Sequence, residues 1–172
     1  VAIQFPNNNA AYYDAANWLD NIDSLSWCGW VRVDNLRVPA ADQTIWGHRG
    51  AVDRMQFFRD DGGEIWFAVT AGGVYDRVED TITCVEDTLY HFAVTWEKNS
   101  ATGLKLYRNG AYITSASTTD QPNNYQSGGT VDLFLGCYSN DNSFGQCTGE
   151  GWCWWTGTVL DADQIAALYW VG

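Results

Sequence analysis

Between Gly103 and Ser117 the chain reads GLKLYRNGAYITSAS, two runs of alternating apolar and polar residues on either side of Asn109-Gly110. Alternation with period two sends successive side chains to opposite faces of an extended strand. Asn-Gly tolerates positive φ at both central positions of a type I′ turn, the two-residue connection whose twist matches that of paired strands. The unit is therefore predicted to be a β-hairpin whose turn sets its register. The same alternation recurs in Val1 to Phe5, LSWCGWVRV (Leu25 to Val33), QTIWGHR (Gln43 to Arg49), RMQFFR, EIWFAVT, LYHFAVTWE and VDLFLGC. Turn signals fall at intervals of about 8 to 12 residues, a spacing typical of sandwiches and barrels. The glycine pairs in DDGGE and AGGV read as hairpin turns, and neither opens a helix as a phosphate-binding loop would. Only DADQIAALYW reads as helix, with Asp161 as cap, Gln164 placed to return the bond, and Ile165, Leu168 and Tyr169 on one apolar face. It is expected to lie as a short lid over one edge or end of the sheets. The expected fold is all-β, an antiparallel jelly-roll β-sandwich with one short C-terminal helix, forming a single domain over residues 1–172 with no internal repeat or linker.

A chain of 172 residues with 46% hydrophobic content is long enough for one substantial core. No apolar run approaches the roughly 20 residues that span a bilayer, so a soluble chain with no membrane insertion is expected. The balance of 21 acidic against 9 basic residues gives a formal charge of -12, which repels phosphate backbones and anionic headgroups and argues against nucleic acid as a partner. The chain begins at Val1 without a basic and apolar leader, so a secretion signal is expected to have been removed or never present. Five cysteines, Cys28, Cys84, Cys137, Cys147 and Cys153, show neither a C-x-x-C pair nor a histidine at ligand spacing, which argues against zinc. Disulfide use in an oxidising exterior is the expectation, and the odd count leaves at least one thiol free or bridging to another chain. Cys137 with Cys147 is the expected pair, because the intervening YSNDNSFGQ reads as a loop whose ends must meet.

Several stretches in order carry a family resemblance. YHFAVTWEKNSATGLKLYRNGAYITSAS resembles the laminin-G-like segment in which an aromatic or His pair precedes A-V-T and a strand then runs through N-G into its partner. LSWCGWVRVDNL resembles the strand before it, closed by Trp30, Val31 and Arg32. VAIQFPNNNAAYYDAANW resembles the opening strand and turn, and TGTVLDADQIAALYW the turn and capped helix at the end. Together they resemble the laminin-G-like branch of the concanavalin A-like lectin/glucanase superfamily across nearly the whole chain. The resemblance implies a jelly-roll sandwich and glycan or protein recognition. Two places depart from the pattern: GWCWWTG stands where the family carries an acidic pair, and PNNNAAYYD where it has Gly and paired Asp. The family's ligand and calcium chemistry built on those acids is therefore not carried over.

Glycan-cleaving members of that superfamily resemble one another in a Glu-x-Asp-x-Glu strand, whose same-face carboxylates divide acid and nucleophile roles. None of Glu64, Glu79, Glu86, Glu97 and Glu150 stands in that pattern; the acids of EDTITCVED are read as flanking a strand, and a non-enzyme is expected. Of the two histidines, His91 is assigned to sheet packing, while His48, in WGHRG beside Trp46 and Arg49, reads either as a turn residue or as a ligand contact. Calcium requires clustered oxygen donors, which RDDGGE and YSNDNS supply at Asp60, Asp61 and Asp141 without the donor periodicity of a dedicated loop. In GEGWCWWTG an extended strand sends Trp152 and Trp154 to one face and Cys153 and Trp155 to the other, so the three indoles cannot form one platform. One face is expected to be core, and the other to offer an indole for stacking on a sugar or anchoring a neighbour.

The expected function is non-catalytic recognition on an extracellular or particle surface, with a lectin-like contact to glycan through loops at one end of the sandwich. The candidate ligand residues are Trp46, His48 and Arg49 in one loop, Tyr138, Asn140 and Asp141 in another, and Trp152, Trp154 and Trp155. The alternative is a structural or assembly protein, such as a virion decoration or fibre subunit or an extracellular appendage subunit, whose partner is a protein.

Overall fold

The computed structural model describes residues 3–5, 11–13, 17–33, 43–60, 62–81, 83–128, 132–136 and 147–171. Two six-stranded antiparallel sheets make up the sandwich among these residues. The first places β1 (Ile3–Phe5), β12 (Cys147–Thr156), β3 (Ser24–Val33), β8 (Leu89–Glu97), β9 (Leu104–Arg108) and β10 (Ala111–Ala116) side by side. The second runs β2 (Ala11–Tyr13), β11 (Leu133–Leu135), β4 (Gln43–Arg49), β5 (Arg54–Arg59), β6 (Ile65–Ala71) and β7 (Val74–Asp80). Hairpins join β4 through β7 in the second sheet and β8 through β10 in the first, while β12 returns beside β3 and β11 beside β4, the crossing pattern of a jelly roll.

The inward-facing residues of both sheets meet in one apolar layer. Leu25, Trp27, Val31, Phe92, Val94 and Trp96 come from the first sheet, and Ile45, Trp46, Met55, Phe57, Phe67 and Val69 from the second. The alternation that predicted the strands is the alternation that fills this layer. The turns behave as their residues require: Asn109 and Gly110 both take positive φ, 51° and 76°, as do Gly72 and Gly73 between β6 and β7, at 60° and 82°.

Two features differ from the sequence expectation. The acidic pair Glu79 and Asp80 does not flank a strand that follows; it ends β7, where buried Asp80 meets the Arg108 guanidinium of the opposite sheet at 2.9 Å. The helix α1 (Ala162–Val171) carries the expected reciprocal cap, with Gln164 N–H donating to Asp161 Oδ1 at 2.8 Å and Asp161 N–H to Gln164 Oε1 at 2.9 Å. It covers an outer sheet face rather than an edge or end. Ile165 packs with Cys28 of β3, Ala93 of β8 and Tyr107 of β9, and Tyr169 lies against Trp30, His91 and the turn glycine Gly110.

Strand β12 changes face partway. Its register against β3 shifts between Glu150 and Cys153, where Gly151 takes φ of 64°, a β-bulge. Before the bulge Cys147 faces the inter-sheet layer; beyond it Trp152 and Trp154 do, leaving Cys153 and Trp155 on the helix side. The Trp152 ring lies directly on two backbones: a Cβ at Gly29 or at Gly149 would stand 2.2 Å from it. Glycine at both positions is what lets this indole enter the layer.

Candidate functional site

Trp46, His48 and Arg49 belong to β4 rather than to a loop. Trp46 is fully buried, with ring centroids at 5.7 Å from Trp27, 5.9 Å from Phe67 and 6.0 Å from Trp154. Its indole therefore completes the core and presents no face to a ligand, which corrects the reading of Trp46 as a contact residue. His48 is likewise buried; its Nδ1 stands 2.6 Å from the hydroxyl of Tyr125, which is 3.2 Å from the His48 carbonyl. With Nδ1–H donating to the Tyr125 oxygen and the Tyr125 O–H donating to that carbonyl, each donor of the pair has an acceptor. His48 thus fastens a loop to β4 instead of facing solvent. Arg49, at the end of the strand, is exposed.

Trp152, Trp154 and Trp155 are half-buried. Trp152 donates its Nε1–H to the Trp30 carbonyl at 3.0 Å, Trp154 makes edge contact with the partly exposed Trp18 at 6.2 Å, and Trp155 packs beside α1. Tyr138, Asn140 and Asp141, the pairing residue Cys137 and the calcium candidate Asp61 lie outside the described residues. Asp60 spends its carboxylate within its own turn, where Oδ1 accepts the Glu64 N–H at 2.8 Å. Among the described residues no three His, Cys, Asp or Glu side chains are grouped as a metal site would require.

The structure instead brings polar groups together at one end of the sandwich. A cavity of about 370 Å³ is bounded by Asn21 before β3, Lys98 after β8, Val52 and Asp53 of the β4–β5 turn, Gly72 of the β6–β7 turn, and Asn123, Asn124 and Gln126. The segment 117–127 forms the wall that joins these elements, and each of its fixings is identifiable. Gln121, fully buried, accepts the Trp96 Nε1–H of one sheet at 2.9 Å and donates to the carbonyls of Val69 and Val74 in the other at 3.1 and 3.0 Å. Asn124 donates to the Asn21 carbonyl at 3.1 Å and accepts from Lys98 Nζ. Buried Asp53 accepts the Gln126 N–H at 2.8 Å, and Asp20 accepts both the N–H and the hydroxyl of Ser127 at 2.6 and 2.9 Å. Four residues of the wall, Gln121, Asn124, Gln126 and Ser127, carry these fixings, so its exposed groups are preorganised. Val52 and Asp53 also border a second hollow of about 340 Å³, lined by Arg49, Arg54, Thr70 and the exposed ring of Tyr75, over which the Arg54 guanidinium sits at 5.5 Å.

Such a rim can exchange both donors and acceptors with a polyhydroxylated ligand, because a side-chain amide offers each from one plane. Apolar contact is supplied beside it by Val52 and Tyr75, exposed to 60% and 44%. No reading of single motifs singled out this wall. Its signal in the sequence was QPNNYQ, an amide-rich run between two strands, which resembles an ordinary loop until the fold wraps it across the sandwich.

A carboxyl pair was also not foreseen. Asp76 of β7 hydrogen-bonds Asp120 of the same wall segment, and its carboxyl is pushed up to about 6 by burial first, then by the charge and hydrogen bond of Asp120. His91 moves the other way, lowered to about 4 by burial between Trp30 and Tyr169, consistent with its assignment to packing.

No curated protein matches the sequence. Solved structures share its fold at low identity. The heptameric SAP-like pentraxin from Limulus polyphemus superimposes with a TM-score of 0.70 at 11% identity, over 98% of this chain and 81% of that one. The botulinum neurotoxin serotype D ligand binding domain, solved in complex with N-acetylneuraminic acid, gives 0.71 at 13% identity, over 99% of this chain and 50% of that one. Domain 4 of an extracellular GH43 arabinanase from Geobacillus stearothermophilus, solved in complex with arabinotriose, gives 0.65 at 15% identity, over 91% of this chain and 69% of that one. The chain thus spans four fifths of the pentraxin but only half of the neurotoxin chain. A laminin G family model matches residues 6–151, and with the jelly-roll topology this places the chain in the concanavalin A-like lectin/glucanase superfamily.

Proposed function

We propose that this domain is a non-catalytic recognition module, displayed on an extracellular or particle surface, that binds glycan at the polar end of its sandwich. The observation that carries the reading is the cleft between Asn21, Lys98, Asn123 and Asn124, whose wall is pinned to both sheets by buried Gln121 while Asn123 and Gln126 are exposed. Two of the fold relatives were solved with saccharides bound, which supports a sugar as the ligand class. The exposed Asn123 lies against Gly72 and holds no part of the core together. Asn123→Ala is therefore expected to change stability by less than about 0.5 kcal/mol while weakening glycan binding about tenfold or more. A glycan array, run with calcium and again with chelator, followed by calorimetric titration of the best ligand into both proteins, tests this. Binding lost with chelator would assign a calcium ion to the site. A blank array in both conditions would sink the glycan reading.

A second reading, assembly into a particle or fibre, is favoured by one observation. Trp155, Leu160, Ala167, Leu168 and Val171 line an apolar hollow of about 350 Å³ between β12 and α1, and Trp170 of the same helix is 80% exposed. An apolar surface of this kind suits contact with protein. The solution mass at high concentration distinguishes the two, since a monomer that binds sugar needs no subunit contact.

A further inference from the structure

Cys28 of β3 and Cys153 of β12 are direct partners in the antiparallel register, one opposite the other. Residues so placed point to the same face with Cα atoms about 4.5–5.5 Å apart, within the range that a disulfide spans. Their surroundings differ. Cys28 is buried in the apolar cluster beneath Leu160 and Ile165, whereas Cys153 is exposed. Burial pushes the Cys28 thiol up to about 12, and the proximity of Cys153 adds to the shift.

We propose that Cys28 and Cys153 are a redox site, closing to a cross-strand disulfide when the protein meets a small-molecule disulfide such as oxidised glutathione. The exposed thiol reacts first. Cys153, as thiolate, attacks one sulfur of the reagent; its S–S bond breaks, a mixed disulfide forms on Cys153, and the released glutathione thiolate takes up the proton that Cys153 lost. Cys28 then attacks the Cys153 sulfur, a bond forms between the two strands, and the second glutathione leaves with the proton from Cys28. Two protein thiols are oxidised and one glutathione disulfide is reduced to two thiols. The second step is the slow one, because a buried thiol supplies little thiolate. The bridge falls just past the Gly151 bulge, where the register of β12 on β3 has shifted, so it staples the strand at its least regular point. Cys84 stays reduced: it is buried, and burial raises it to about 12 with no cysteine among the causes of its shift.

The test is to incubate the protein with oxidised glutathione, alkylate it in native buffer and map the cysteines by mass spectrometry. The expected result is a linked peptide joining Cys28 to Cys153, Cys84 alkylated only after denaturation, and a melting temperature about 5 °C or more above that of the reduced protein. Cys153→Ser, a change at an exposed position, removes both the linked peptide and the rise. A glutathione adduct that persists on Cys153, or a bridge from Cys153 to any other cysteine, overturns the proposal.

Discussion

The aromatic layer between the sheets and the polar wall at the end of the sandwich are built on opposite terms. The layer is made of large rings whose partners are other rings: Trp27, Trp46, Trp152 and Trp154 contact one another at centroid distances of 5.7 to 6.3 Å. Such pairs add about 0.5–1.5 kcal/mol each beyond the area they bury. The wall is made of polar residues, each anchored by one to three directed hydrogen bonds to other strands or turns. Tryptophans, the residues from which sugar platforms are built, here serve as scaffold, and exchangeable polar groups concentrate where the scaffold ends. Abundance of a binding-type residue is a poor guide to a binding site when the same residue is also the best filler of a core.

The sharpest way to break this contrast is Trp46→Ala. Removal of a fully buried indole is expected to lower the unfolding free energy by about 3–5 kcal/mol, measured by chemical denaturation. Near-native stability with lost glycan affinity would instead return Trp46 to the ligand site. A smaller loss, about 2–3 kcal/mol, is expected for Gln121→Ala, which strands the Trp96 indole N–H and two strand carbonyls. Glycan binding should fall with it, because the wall loses its fixing to both sheets. Binding that survives this change would separate the site from the wall.

The smallest effect belongs to Asp76. Its carboxyl rises from the ordinary value near 3.8 to about 6, so the folded chain holds a proton that the unfolded chain has released. The stability from that proton is complete below about pH 4 and lost as pH rises through about 6. His91 works in reverse: lowered from 6.5 to about 4, it favours the folded state increasingly as pH rises across that interval. In the wild type the two trends oppose one another. Asp76→Asn should raise the melting temperature modestly at pH 7 and leave a net rise in stability from about pH 4 to pH 6.5. Thermal melts across that range decide it; an unchanged profile would mean that the Asp76–Asp120 contact is not maintained in solution.

Much of the sandwich was legible beforehand because its determinants are local. The Asn109-Gly110 turn, the Asp161 and Gln164 cap and the parity of Trp152 and Trp154 against Trp155 each depend on residues a few positions apart. The site was less legible. Trp46 and His48 looked accessible in WGHRG because the sequence does not say which side of β4 meets the opposite sheet. The polar wall was passed over because Gln121 and Asn124 acquire meaning only from Trp96, Val69 and Asn21, groups that are remote in the chain or belong to separate strands.

The sequence by itself determined the class of fold and its turns, since period-two alternation and left-handed turn residues act over a few neighbouring positions. Tertiary structure alone decided which faces became core, that the helix would cover a sheet face, that Cys28 would stand opposite Cys153, and that amides from several elements would converge at one end. Those outcomes depend on strand register and sheet packing, which are settled by contacts between residues up to more than a hundred positions apart, such as Leu160 with Ser26 at a separation of 134.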